Sequence, residues 1–213
     1  MRRTIIITLL IVIPLTLGGG LFILLRDQSI NKDYEADLSG DIKTIKLKGY
    51  ANSSGVEFQL PEEAEESALT NTTASYLVPS TEDASGGSLG KYYAKFKRRE
   101  DTGEITQNKK DRMAKLVGSK TFKDRIKVDA KGTRISEAKV TRTDTYDDNS
   151  RFRIAFEGKT SFGGDTLVPV EGVLNIYLRK KITLEFIMFY KKGSVPSGAG
   201  SFQTVEESVR FND

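Results

Sequence analysis

Asp144, Asp147, Asp148 and Asn149 place four oxygen-bearing side chains close together. Hard oxygen ligands crowded in a turn are what Ca²⁺ needs. The spacing of an EF-hand loop, its central Gly and its distal Glu are all missing. Asp and Asn dominate turns for reasons of backbone geometry alone, so a hairpin turn with solvated carboxylates is the expected reading and no metal is assigned. Ser119 and Lys120 are neighbours in sequence, which does not make them a dyad. Gly86-Gly87-Ser88-Leu89-Gly90 has the glycines of a phosphate cradle without its Lys or its following helix, and reads as a flexible connector. Asp and Glu number 29, but nothing singles out the two that glycoside hydrolysis would need about 5–9.5 Å apart. The chain has no His and no Cys. That removes Ser-His and Cys-His catalysis, thiolate zinc sites and any disulfide framework. No catalytic residue and no cofactor is therefore assigned, and the chain is not expected to be an enzyme.

Charge is the more informative feature. The 213 residues carry 33 Lys+Arg and a formal net charge of +4, unevenly spread. Residues 91–142 hold 17 basic and 7 acidic side chains, whereas residues 33–90 hold 3 and 11. Lys91, Lys95, Lys97, Arg98 and Arg99 interleave with Tyr92, Tyr93 and Phe96. Such a face would suit an anionic partner: a wall polymer, lipid headgroups or a single-stranded nucleic acid. Alternating lysines also describe a solvated strand face that discourages edge pairing, which is the preferred reading. Nucleic acid is not expected as a partner.

The elements that would carry these residues follow from periodicity. Alternation predicts strands over 42–49, 55–61, 74–79, 91–99, 124–130, 136–146, 151–158, 170–178 and 182–190. Residues 62–67 (EEAEES) read as a short helical turn, and 81–90 as a mobile loop. A period change predicts one helix over 104–119, with Ile105, Met113, Leu116 and Val117 inward and Gly118 near its end. A second helix is predicted over 201–211, with Phe202, Val205 and Val209 inward. In 151–158, Phe152, Ile154 and Phe156 should face in, and Arg151 and Arg153 out. The last long strand is apolar on both faces, so helices should lie over the sheet. These mostly consecutive strands with two helices predict an antiparallel α+β domain, not βαβ units.

Residues 4–25 form an uncharged run of 22. At about 1.5 Å per residue this spans about 33 Å as a helix, enough for a bilayer core. Arg2 and Arg3 precede it, so the expected arrangement is a cytoplasmic N-terminus (1–3), a transmembrane anchor (4–25), a polar stalk (26–41) and an exported domain (42–213). The run is longer than the apolar region of a typical cleaved signal and lacks a small-x-small site after it. Gly18, Gly19 and Gly20 would allow another helix to approach closely. Asn52 and Asn71 sit in N-glycosylation sequons. An exported domain without Cys nevertheless fits a bacterium that does not rely on disulfides.

Three stretches resemble the PsbP-like fold family. These are Gly55-Val56-Glu57-Phe58-Gln59-Leu60-Pro61, the paired segment VLNIYLRKKITLEFIMFY, and the closing Phe202, Val205, Ser208, Val209 and Phe211. The likeness covers residues 44 to 211. It departs where the family often has Trp just after the opening Pro, since Glu62, Glu63 and Ala64 stand there. The resemblance implies an antiparallel sheet flanked by helices, used as a binding scaffold without shared catalytic residues. The expected protein is thus a single-pass, extracytoplasmic binding module whose partner is an envelope protein or an anionic polymer. The alternatives are an assembly subunit of a larger membrane complex and, less favoured, an envelope hydrolase using carboxylates.

Overall fold

The computed structural model describes residues 41–48, 55–78, 90–98, 104–122, 126, 129–130, 133–146, 148–161, 165–194 and 200–212, with the backbone alone at 90–98, 129–130 and 133. The expected anchor with Gly18–Gly20, nearly all of the stalk, the loop 81–89, Arg99, Asp147 and the sequon at Asn52 lie outside them. No helix among the described residues is long and apolar enough to cross a membrane.

The chain order is β1 (Ile42–Leu47), β2 (Val56–Pro61), β3 (Glu65–Leu69), β4 (Thr73–Val78), β5 (Gly90–Arg98), α1 (Gln107–Val117), β6 (Asp129–Ala130) and β7 (Thr133–Arg134). It continues with β8 (Ser136–Tyr146), β9 (Arg151–Thr160), β10 (Val168–Arg179), β11 (Ile182–Lys191), α2 (Phe202–Glu207) and β12 (Arg210–Phe211). Seven strands form one sheet in the order β3-β4-β5-β11-β10-β9-β8; β1, β2 and β12 form a second, and β6 and β7 pair alone. Every pairing is antiparallel. The described residues are mostly antiparallel sheet with few helices.

β11 lies in the middle of the large sheet, and both its faces are buried. Leu184, Phe186 and Met188 join a first core with Leu47, Val56 and Phe58 of the small sheet and Val205 of α2. Phe58 and Phe186 meet at 5.0 Å between ring centroids. Ile187 and Phe189 join a second core with Phe152, Ile154 and Phe156 of β9 and Val117 of α1. Met113 and Leu116 pack against it as their helical spacing requires. Each such side chain withdrawn from water contributes roughly 1.5–3 kcal/mol before the entropy of ordering it. Two-sided cover was expected to be helical. On one face a second sheet supplies most of it, because the alternation of β1 and β2 provides a ready apolar face of the same period.

Other expectations are corrected. Residues 62–67 are not a helical turn: the Ala64 N–H closes a turn on the Pro61 carbonyl at 3.0 Å, and β3 follows. As an edge strand, β3 exposes Glu65 and Glu66, charges that discourage pairing with other chains. Of the predicted strand 124–130, only Ile126, Asp129 and Ala130 are described: Asp129–Ala130 is strand, and Ile126 is fully buried in the second core. The closing helix is shorter than predicted. Ser208 stops it, its hydroxyl bonding the Val205 carbonyl at 2.7 Å and accepting the Gln59 N–H at 2.8 Å. The chain then extends, and Arg210 and Phe211 pair with Glu57 and Val56.

Candidate functional site

The alternation of β9 sends Phe152, Ile154 and Phe156 into the second core, so Arg151 and Arg153 occupy the opposite face. That face is not open water, as the sequence suggested. Helix α2 crosses it. Ser201 caps the helix by accepting the Thr204 N–H at 3.1 Å, and Val205 and Glu206 turn inward together.

Glu206 is only 6% exposed and is held by both arginines. Arg151 Nη2 donates to Oε2 at 2.9 Å, and Arg153 Nε donates to Oε1 at 3.0 Å and to Oε2 at 2.9 Å. Two guanidiniums on one carboxylate leave a local excess of positive charge. Arg151 also donates to Asn175 Oδ1 at 3.2 Å. Its guanidinium lies 5.1 Å from the ring of Tyr146 and 5.0 Å from that of Tyr177, within cation–π range of both. The Tyr177 hydroxyl donates to the Glu206 carbonyl at 3.4 Å, and burial pushes its ionisation well above the ordinary phenol range. Arg151 Nε and Asn175 Nδ2 are buried donors without a protein acceptor. The cluster ties α2 to the sheet and fixes the plane of one guanidinium.

A cleft of about 600 Å³ opens beside this cluster. Its walls come from the residues before α1, the β10–β11 turn and the C-terminal segment. The Ile105 N–H joins the first two walls by donating to the Lys180 carbonyl at 2.6 Å. Ile105, Leu178, Val209 and Phe211 form the apolar lining, while Lys110, Arg179, Lys180 and Arg210 bring positive charge, against Glu104 and Glu207. A second cavity of about 320 Å³ shares Arg151, Glu206 and Glu207 and runs along β8 past Arg142, Asp144 and Tyr146. Arg142 Nε donates to Asp144 at 2.8 Å, and this bond holds the guanidinium further above its ordinary value.

The backbone of the predicted anionic-partner face is described, except at Arg99. Lys91, Lys95, Lys97 and Arg98 belong to β5, between β4 and β11, and stand opposite Phe189, Glu185, Thr183 and Ile182 of β11. Because β5 is an inner strand, protection of a sheet edge cannot explain its lysines. Asp144 is engaged by Arg142, and Asp148 and Asn149 sit in the β8–β9 turn with φ of 48° and 62°, which Asp and Asn tolerate. No group of three acidic side chains placed to hold a metal occurs among the described residues. The Ser119 hydroxyl donates to the Leu116 carbonyl at 2.6 Å, a helix-end role.

The Arg151–Arg153–Glu206 cluster was missed in the sequence. Its signal was present: Glu206 stands four residues after Phe202 and one after Val205, inside an apolar stripe, and an acid there needs a cationic partner.

No protein-family model and no curated protein matches the chain. The structure is similar to that of the Ran-binding protein Mog1p of Saccharomyces cerevisiae, with a TM-score of 0.41 and 9% identity, over 80% of this chain and 96% of Mog1p. It is also similar to a crystal structure from Bacteroides thetaiotaomicron, with a TM-score of 0.39 and 11% identity. That match covers 74% of this chain and 45% of the other. At this level of superposition neither likeness carries an argument about function.

Proposed function

We propose that the chain is a single-pass membrane protein that presents a non-catalytic binding domain of the PsbP-like fold outside the cytoplasm. The uncharged run of 22 residues at 4–25, preceded by Arg2 and Arg3, is the observation that carries this reading. The absence of His and Cys from the sequence supports binding over catalysis. So does a cleft beside which Arg151, Arg153 and Glu206 already hold one another. The partner is an envelope protein, reached through the cleft. The topology is tested with a C-terminal tag on the full chain. Protease added to intact cells or spheroplasts should remove it, and alkaline carbonate should leave the chain in the membrane pellet. A protected tag, or a chain released by carbonate, refutes the reading.

Three consecutive glycines at 18–20 favour a second reading, in which the chain is a subunit of a larger membrane complex. A discrete large species on a native gel after mild detergent extraction supports it. A monomer that shifts only when a soluble partner is added argues against it.

A further inference from the structure

We propose that the joined clefts around Arg151 and Glu206 take an extended acidic peptide segment with apolar side chains, contributed by a partner protein. This inference names the ligand chemistry of the binding domain proposed above. It rests on that reading only for the compartment in which the partner is met.

Among the described residues, the linings of the two cavities carry seven basic and four acidic side chains. Two of the acids are spent internally, Glu206 on Arg151 and Arg153, and Asp144 on Arg142. Among the described residues, no carboxylate pairs with Arg179. Its guanidinium lies 5.6 Å from the centroid of the Phe211 ring, within cation–π range. A planar fork held this way suits a carboxylate, which it can meet through two parallel hydrogen bonds. Lys110 adds a second positive group on the α1 wall. Between these charges, Ile105, Leu178, Val209 and Phe211 offer apolar contact.

The mixed lining decides between peptide and polyanion. Glu104 and Glu207 also face the cleft. A polyphosphate-type polymer brings acceptors at every repeat and would meet like charge at both. A peptide brings carboxylates for the cations and backbone N–H groups for the glutamates. Like charges facing each other across an interface suppress a wrong partner.

The β10–β11 turn supplies an independent observation. Lys180 has a φ of 48°, the left-handed region that Gly adopts freely. That two-residue turn joins the paired residues Arg179 and Ile182, which fixes where the backbone of this cleft wall runs.

The test uses the full chain in detergent micelles and fluorescence anisotropy with three probes. These are a labelled octapeptide of alternating Asp and Leu, its counterpart with Asn for Asp, and unlabelled polyphosphate as competitor. The acidic peptide should bind at least tenfold more tightly than the amide peptide. The Lys110→Glu/Arg179→Glu double variant should lose at least tenfold, with an unchanged thermal midpoint; Arg179→Gln supplies the same comparison if the double variant melts early. Polyphosphate should not displace the peptide. Three outcomes overturn the proposal: no preference for the acidic peptide, unchanged affinity in the folded variants, or displacement by polyphosphate, which would make this a polyanion site. A domain found on the cytoplasmic side with the peptide preference intact would instead sink the topology and leave this inference standing.

Discussion

Glu206 shows how one residue organises a region. Its side chain is 5% exposed, those of Arg151 and Arg153 are 24% exposed, and the three meet within 3.0 Å. Removing the carboxylate would leave two guanidiniums side by side on one face of β9 without their shared counter-ion. Glu206→Ala should therefore cost about 3 kcal/mol, near the lower end for a broken buried pair, because the arginines keep some water. Glu206→Gln retains volume and an acceptor and should cost less. Urea unfolding followed by far-ultraviolet circular dichroism checks the order; equal costs for the two variants would show that packing, not charge, is what Glu206 contributes. Tyr76 gives a pH dependence. Burial, and then the Glu66 carboxylate that accepts its hydroxyl at 3.3 Å, push its ionisation from about 10 up to about 12. The folded chain thus keeps a proton that the unfolded chain has begun to release. The associated stability is whole below about pH 10 and is lost as pH rises through about 12. In an ultraviolet titration of the eight tyrosines, Tyr76→Phe should delete one late-ionising group and flatten the alkaline loss of stability. An unchanged late step would contradict this.

At the scale of elements, β10 depends on one glycine. Gly172 stands opposite Phe156 of β9 and Phe189 of β11. A Cβ there would collide with the Met188 carbonyl oxygen and come within 2.6 Å of the Phe156 ring and 2.7 Å of Phe189 Cβ. The glycine leaves room for two rings to close over the backbone. Gly172→Ala should cost about 2–3 kcal/mol, since neither a backbone oxygen nor a buried ring can yield cheaply. A shift in the thermal midpoint of less than a degree would show that the strand has room to spare. The short α2 helix belongs to the same scale. Its six residues would not persist alone in water. Val205 in the first core, the Ser201 cap and the Glu206 pair hold it, and through it the C-terminal wall of the cleft.

At the scale of the whole domain, two cores lie on opposite faces of one sheet and share its strands. β10 and β11 contribute to both, through Val173 and Leu184 on one side and Leu174 and Ile187 on the other. Neither face can lose its packing without disturbing the strands that support the other. Phe58→Ala in the first core and Phe152→Ala in the second should each cost about 3–5 kcal/mol and lower the same single transition. Two resolved transitions, each sensitive to one variant only, would mean that the faces unfold independently.

Alternation and apolar periodicity in the sequence determined most strands, the helix 107–117, the antiparallel class and the two-faced burial of β11. These properties depend on neighbours two to four residues away, so they are written locally. The uncharged run at 4–25 is equally local, and the topology proposed from it rests on sequence alone. Tertiary structure decided that a second sheet, not only helices, covers one face. It decided that residues 65–69 run as an edge strand and that Arg210 and Phe211 leave the helix to pair with β2. It also decided the cleft. Arg151 and Glu206 are 55 positions apart, and no periodicity links them. Their meeting depends on how β9 twists beneath a helix whose own position is set by the core on its other side. The lysines of β5 make the same point, since a charge pattern conspicuous in sequence sits on a strand that only the sheet order shows to be an inner one.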